Sequence, residues 1–246
     1  MNELQYRANF FVQLFQSLIA LATGLAVIAL VFGHTEQLNG WNHAELLAVM
    51  GVHIAMGGLI GTLIQPNMMR LAQEVRDGKL DFALTKPADA QLLASLREVR
   101  IWRLVDVAIG GVVLAAALGQ LGVAPSLGGG LAFAATIVLG GLMIYCFWLI
   151  LTTFAFWIVR IDEIAELFDG IYQSGRWPVG VYPGWLRISL TFLVPIAFAV
   201  TVPAEALTGR LTIETFLLAA GFAVLLFAFT RWWWRFGLRR YSGASA

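Results

Sequence analysis

LAFAATIVLGGLMIYCFWLILTTFAFWIV, residues 131–159, decides the fold class, because all 29 residues lack a charged side chain. A helix needs about 20 mainly apolar residues to cross the hydrocarbon core of a bilayer. Five further stretches reach or approach that length, namely residues 10–32, 46–64, 104–121, 188–207 and 212–234. The pattern predicts an all-α polytopic membrane protein whose six transmembrane helices form one domain, 1–246.

Composition and charge agree with this class. At 59% hydrophobic and 13% charged, the chain of 246 residues has too little polar surface for a soluble globule. Fifteen of its sixteen Lys and Arg residues fall on one side of the predicted membrane, which predicts a cytoplasmic N-terminus and C-terminus. The basic groups cluster along a membrane face, so lipid is an expected partner and nucleic acid is not.

The predicted cytoplasmic loop, residues 65–103, contains an amphipathic pattern. Residues 67–77 alternate apolar and polar positions at helical spacing, and Gly78 follows where a helix would end. The apolar face consists of Met68, Leu71, Ala72 and Val75. The pattern predicts a short helix that offers this face to something outside the bilayer.

Two further interfacial helices are predicted. Asp89 is placed to cap a helix that directs Leu92, Leu93, Leu96 and Val99 to lipid, with Arg97, Arg100 and Arg103 near lipid phosphates. Before the first span, residues 3–15 have the pattern of a helix lying in the membrane interface. The alternative for this second segment is a plain extension of the first span.

The fifth predicted span, 188–207, is irregular because it contains Pro195 and Pro203. A proline removes a helical hydrogen bond, and broken backbone at membrane depth is tolerated only beside protein or a wet cavity. This span is therefore expected to line a functional pathway, as a helix followed by a re-entrant turn.

The remaining spans are nearly free of ionisable groups, which disfavours an ion-coupled secondary carrier. Asp106 lies within reach of Arg103 and is expected to be a paired structural acid. His53 is the deepest ionisable group, and its side chain is expected to be satisfied by a neighbouring carbonyl, with a place in the pathway as the alternative.

Catalytic and metal chemistry finds little support in the sequence. Four acids between residues 162 and 169 lack a nearby histidine or cysteine, so an ion-pair network with Arg160 and Arg176 is expected rather than a metal site. The chain has no phosphate-binding G-x-x-x-x-G-K-[ST] loop, so it is not expected to bind ATP itself. No His, Asp or Cys constellation supports a lipid-modifying enzyme, which remains an alternative class.

Several short motifs carry a resemblance to a known family. They are GKLD at 78–81, Leu84, KP at 86–87, FD at 168–169, GRWP at 175–178, YP at 182–183, Phe192, PIAF at 195–198, PA at 203–204 and GLRRYSGAS at 237–245. The whole chain resembles the membrane subunits of bacterial ATP-binding-cassette transporters of the type-2 exporter class, in a compact six-span branch of uncharacterised substrate. The final Ala246 departs from the serine that often ends the family's tail.

The resemblance implies a permease of the bacterial inner membrane that works with a second permease and two cytoplasmic ATPases. ATP and Mg would bind those partners, and this chain would carry no cofactor and catalyse no reaction. The family's coupling helix corresponds to the loop already described, which gives Leu71, Glu74, Val75, Arg76, Asp77, Lys79 and Lys86 as candidate contacts with the ATPase. The family's gate corresponds to residues 195–209, so Pro195, Phe198 and Pro203 join His53 as pathway or gate candidates.

Overall fold

The computed structural model describes residues 3–80, 89–122, 126–157 and 162–240, and these residues form helices joined by short turns. The α-helices are α1 Glu3–Phe32, α2 His43–Leu59, α3 Gln65–Arg76, α4 Ala90–Ser95, α5 Leu104–Leu121, α6 Leu127–Thr153, α7 Asp162–Tyr172, α8 Gly184–Ile188, α9 Val202–Thr208 and α10 Ile213–Leu238. Lys86 and Pro87 lie outside the described residues.

Several helices are extended by tighter or wider turns. The 3₁₀ turns are Ile101–Arg103, Phe154–Phe156, Gln173–Arg176 and Val179–Val181, and the π-helical turns are Ile60–Ile64, Ser189–Leu193 and Ala197–Thr201. The first π-helical turn joins α2 to α3 without a break in the helix. α1 is also continuous, so its start matches an extension of the first span and not a separate interfacial helix.

The protein is a multi-pass membrane protein. Among the described residues, the helices long and apolar enough to cross a bilayer are Asn9–Phe32, His43–Arg76, Ile101–Leu121, Leu127–Phe156 and Ile213–Leu238. A sixth candidate is the pair Gly184–Leu193 and Ala197–Thr208, whose axes differ by 77°. The all-α class is confirmed.

The bundle has two chemically different ends. At one, which we call the loop end, His43 Nδ1 lies 3.2 Å from Gln120 Oε1, and Arg210 donates to the Gly40 carbonyl at 2.8 Å. At the other, which we call the basic end, Arg97 meets Glu74 beside the end of α3. These ends correspond to the two membrane faces distinguished by the basic residues of the sequence.

Glycines bring α2 and α5 into backbone contact. A Cβ at Gly110 would lie 2.6 Å from the Ala55 nitrogen, and a Cβ at Gly58 would lie 2.8 Å from the Val107 nitrogen. No side chain fits in either place without moving backbone. The two helices therefore form a tightly packed pair.

Residues 165–182 carry the chain from the basic end to the loop end. Asp169 accepts a hydrogen bond from Gln65 at 3.4 Å, and Tyr172 then donates to the carbonyl of His53, halfway along α2, at 2.8 Å. Further along, a Cβ at Gly180 would lie 3.1 Å from Asn39 in the loop before α2. We call this segment the broken crossing, because α7 is followed by 3₁₀ turns and not by a longer helix.

The broken crossing changes the predicted topology of the fifth span. Because the chain has already reached the loop end at Gly180, the bent pair 184–208 begins and ends there and is re-entrant. The residue Val194 is extended, as expected before a proline, and Pro195 has no N–H to continue the helix. The contacts therefore favour a re-entrant pair at 184–208 over the predicted fifth span at 188–207, and the 77° bend fits the predicted turn.

Two arginines that were predicted at the basic end consequently lie elsewhere. Arg176 lies within the broken crossing, and Arg187 donates to the carbonyls of Gly180 and Tyr182 near the loop end, at 3.1 and 3.4 Å. Both were placed on the cytoplasmic side by the sequence analysis. The other described basic residues assigned to that face, such as Arg97 and Arg103, still support the same bias.

Candidate functional site

A cavity of about 310 Å³ lies between α1, α2 and the broken crossing. Its polar lining consists of Gln13, Gln16, Ser17, His53, Gln65, Arg103, Asp106, Asp169, Tyr172, Gln173 and Arg176. Such groups at membrane depth are tolerated where they line a cavity covered by protein. The cavity is therefore the strongest candidate for a functional site.

Asp106 organises the cavity near the basic end. It is 8% exposed, and its carboxylate accepts hydrogen bonds from Gln13 Nε2 at 2.9 Å and from the Ser17 hydroxyl. Arg103 lies 3.6 Å away, which confirms the predicted pairing. The contacts from α1 were missed, although Gln13, Ser17, Ala20 and Gly24 recur at helical spacing and could have indicated a polar, small-residue face.

The row of acids after the fourth span is not an ion-pair network in the described residues. Asp169 faces the cavity and takes its hydrogen bond from Gln65, while Glu166 is exposed at the surface. The described part of the chain contains no cluster of three or more potential metal ligands. The side chains of Asp162 and Glu163 lie outside the description.

His53 lies near the middle of the membrane, about 15 Å along α2 from His43 at ~1.5 Å per residue. It is 6% exposed and its ring stacks on Tyr172 with centroids 4.5 Å apart. Its Nδ1 has no hydrogen-bond partner among the described residues, so this nitrogen does not make the predicted carbonyl contact. A Cβ at Gly175 would lie 3.3 Å from this nitrogen, which explains how the broken crossing packs against it.

Arg176 brings a second charge to this depth. It lines the cavity one residue after Gly175 and forms no hydrogen bond or ion pair with any other described residue. The prediction that the spans are nearly free of ionisable groups is thus wrong at the cavity. It failed because Arg176 and Asp169 belong to a crossing that was taken for a cytoplasmic loop.

The other pathway candidates do not line the cavity. Phe198 is 2% exposed and stacks on Phe222 of α10 at 5.6 Å. Pro195 and Pro203 are also buried in the re-entrant pair, which packs closely on α6 where a Cβ at Gly140 would lie 2.6 Å from the Phe198 carbonyl. Of the four candidates, only His53 reaches the cavity.

A helix, α3, is present where the coupling helix was predicted, but its apolar face points inward. Leu71 is 1% exposed and Val75 is 8% exposed, because α3 packs on the end of α6 and the turn that follows it. The expectation that these two residues contact a partner is corrected. The exposed candidates are Arg76, Asp77 and Lys79, and the φ of +66° at Gly78 confirms the predicted end of the helix.

Two polar clamps connect the region after α3 to the bundle. In the first, Glu74 accepts two hydrogen bonds of 3.0 Å from Arg97, and the buried Asn67 bonds to the backbone of residues 97 and 98. Arg97 pairs with Glu74, and Arg100 pairs with Glu98 at 2.9 Å, while the contacts of these arginines with lipid phosphates stay a prediction.

The second clamp joins α4 to α6 and α10. Asp89 caps α4 as predicted, and Arg231 binds both Asp89 and Gln91, which lowers the pKa of Asp89 to about 2 through its hydrogen bond. Tyr145 of α6 contacts Ser95 at 2.8 Å. Leu92, Leu96 and Val99 are exposed, as expected for side chains that face lipid.

Comparison with known proteins identifies one family. The family model described as ABC-2 family transporter protein matches residues 18–245, which is most of the chain. No curated protein and no solved structure matches the chain significantly.

Proposed function

The chain belongs to the ABC-2 family of transporter proteins, and on that premise we propose that it is the permease of an exporter driven by a separate ATPase. ATP and Mg bind the ATPase, whose closure changes the side of the membrane to which this chain opens. The permease resides in a bacterial inner membrane, with the basic end in the cytoplasm.

The observation that carries this proposal is the polar cavity between α1, α2 and the broken crossing. It extends from Gln65 and Asp169 near the basic end to His53 and Arg176 at mid-membrane. A cargo molecule entering from the basic end would meet hydrogen-bonding groups along this whole distance. Movement of α1 and the broken crossing relative to the rigid pair of α2 and α5 would open the cavity toward the loop end.

A second permease, identical or homologous, completes the site. Gln16 and Gln173 line the cavity and are exposed, and lipid offers them no hydrogen bonds. The neighbouring face of α1 exposes Phe11, Phe15 and Leu18, which supply apolar surface for a helix–helix contact. Two chains facing each other across this surface would enclose one central pathway.

The ATPases, two per transporter, bind at the end of α3. Arg76, Asp77 and Lys79 are exposed there, and the two clamps lead from this point to α6 and α10. A displacement of the surface would be transmitted through Arg97 and Arg231 to the transmembrane helices.

Co-purification tests the proposal. The chain is expressed with a candidate partner ATPase, as wild type, as the double variant Arg76→Glu/Lys79→Glu, and as the control Arg239→Glu, an exposed arginine at the same end. The double variant should lose the ATPase while the control retains it, and the permease alone should show no ATP hydrolysis. Equal recovery of the ATPase with all three chains would place the docking surface elsewhere.

An ion-coupled carrier is the second candidate, and the charged groups at the cavity favour it over a lipid-modifying enzyme. Asp106 and Asp169 are carboxylates near one entrance, as a proton-coupled pathway requires. Proteoliposomes distinguish the two classes. ATP-driven changes that persist after a proton gradient is collapsed support the exporter, and changes that need the gradient support the carrier.

A further inference from the structure

Arg176 is a cation at mid-membrane for which the described residues supply no counter-ion. It follows Gly175, where an added Cβ would lie 3.3 Å from His53 Nδ1. The backbone of Arg176 therefore lies at about the depth of the middle of α2. A cation at this depth is costly unless an anion or water accompanies it. Such residues in membrane proteins face a substrate path or a partner charge.

The carboxylates of the cavity already have other partners. Asp106 is bonded to Gln13, Ser17 and Arg103. Asp169 accepts a hydrogen bond from Gln65 and lies seven residues before Arg176 on the same segment. Charge in the cavity is therefore separated: the acids lie toward the basic end, and the Arg176 guanidinium, unpaired within the described part of the chain, lies beyond them.

The wall of the cavity is partly apolar. Met50, Ile54 and Phe168 line the cavity together with the ring of Tyr172, which stacks on His53. A volume of about 310 Å³ would hold a polar head group and the first part of an apolar chain. The arrangement fits a molecule that is charged at one end and apolar at the other.

We propose that the cargo carries an anionic group, a phosphate or carboxylate on a partly apolar molecule, and that Arg176 binds it beside His53. This inference rests on the proposed function, because it assigns the cavity to cargo. A guanidinium offers paired donors that match the oxygens of either anion. Asp106 already pairs with Arg103, so among the described cations of the cavity Arg176 is the one left to meet the anion.

Ligand-dependent thermal stability tests the inference on the purified chain in dodecyl maltoside. The probes are octyl phosphate, inorganic phosphate, octyl glucoside as the neutral amphiphile and octyltrimethylammonium as the cation. The variants are Arg176→Gln, the charge-conserving Arg176→Lys, and the control Arg187→Gln at the loop end. A ligand that binds only the folded chain raises the unfolding midpoint in proportion to its affinity and concentration.

Octyl phosphate should raise the midpoint of the wild type, Arg176→Lys and Arg187→Gln, and its affinity should fall by about tenfold or more in Arg176→Gln. The other three probes should have little effect. Equal stabilisation of Arg176→Gln by octyl phosphate, or a preference of the wild type for the cationic probe, would overturn the inference. Stabilisation by inorganic phosphate but not by octyl phosphate would overturn the partly apolar part of the proposal and indicate a free anion as the ligand. If Arg176→Gln does not fold, the wild type alone tests the inference: stabilisation by octyl phosphate above the other three probes supports it, and any other order contradicts it.

The outcome is independent of ATPase binding. Octyl phosphate binding by a chain that fails to co-purify with an ATPase would leave the anion site standing and reject the exporter. Co-purification with an ATPase but without octyl phosphate binding would support the exporter and reject the anion site.

Discussion

The two sides of α2 differ in how they meet their neighbours. Toward α5, glycines at positions 51, 58 and 110 let backbone approach backbone, and an added Cβ would lie within 3.0 Å of it. Toward α1 and the broken crossing, the same helix faces a cavity lined by polar side chains. The contrast shows how one helix can belong to a rigid unit and also form one wall of a changing pathway.

The largest effect is expected on the tight side. Gly110→Ala places a methyl group 2.6 Å from the backbone of Ala55 and Gly51, so α2 and α5 must separate. Overpacking costs about 1–3 kcal/mol and more against backbone. The thermal unfolding midpoint should fall by about 10 °C or the protein should fail to accumulate.

Gly111→Ala is the matched control, because a Cβ there meets nothing within 4 Å. Its midpoint should be unchanged or slightly higher, since alanine favours helix. Similar losses from both substitutions would show that the tight contact is not what holds α2 to α5.

Asp106→Asn should have the next largest effect. It removes the charge that accepts hydrogen bonds from Gln13 and Ser17 and pairs with Arg103, so it loosens α1 from α5. A loss of about 1–3 kcal/mol is expected, or several degrees in the midpoint. Asp77→Asn, at an exposed acid, is the control, and an equal loss there would contradict the role of Asp106.

Glu74→Gln should destabilise the chain less, because Arg97 and Glu74 are partly exposed, at 23% and 16% of their side chains. The expected loss is about 1 kcal/mol or less. If octyl phosphate acts as cargo, it should stimulate the ATP turnover of the assembled wild-type transporter, and Glu74→Gln should lose this stimulation because the first clamp is broken. Unchanged dependence on the ligand would remove this clamp from the transmission path.

His53→Phe should have the smallest effect on stability. Phenylalanine keeps the stacking on Tyr172 and removes a buried nitrogen that has no partner, so the midpoint should stay the same or rise. Stabilisation by octyl phosphate should decrease, whereas the control His34→Phe, in the exposed turn after α1, should retain it. A drop as large as that of Asp106→Asn would mean that His53 is a structural residue.

The sequence predicted features that depend on neighbouring residues. Apolar runs located the long helices, Gly78 and Asp89 marked helix ends, and the spacing of Arg103 and Asp106 indicated their pairing. The broken crossing was missed because its charged, glycine and proline residues form no apolar run, and the proline-containing stretch that follows is more apolar although it does not cross.

Packing between distant segments was also beyond the sequence pattern. Leu71 and Val75 form an apolar face whichever surface covers it, and only the fold shows that the chain's own α6 does so. The convergence of Asp106, His53 and Arg176 on one cavity likewise depends on three separate helical segments. Nothing in their spacing along the chain brings them together.

The most direct test of the account is a distance measurement across the cavity. Spin labels at Gln16→Cys and Gln173→Cys report the open side of α2, and labels at Leu63→Cys and Val112→Cys report the tight side, all with the buried Cys146 replaced by serine. Pulsed electron resonance is recorded for the complex with its ATPase, without nucleotide and with trapped ATP. The account predicts a changed distance for the first pair and a constant one for the second, and a constant first distance would contradict it.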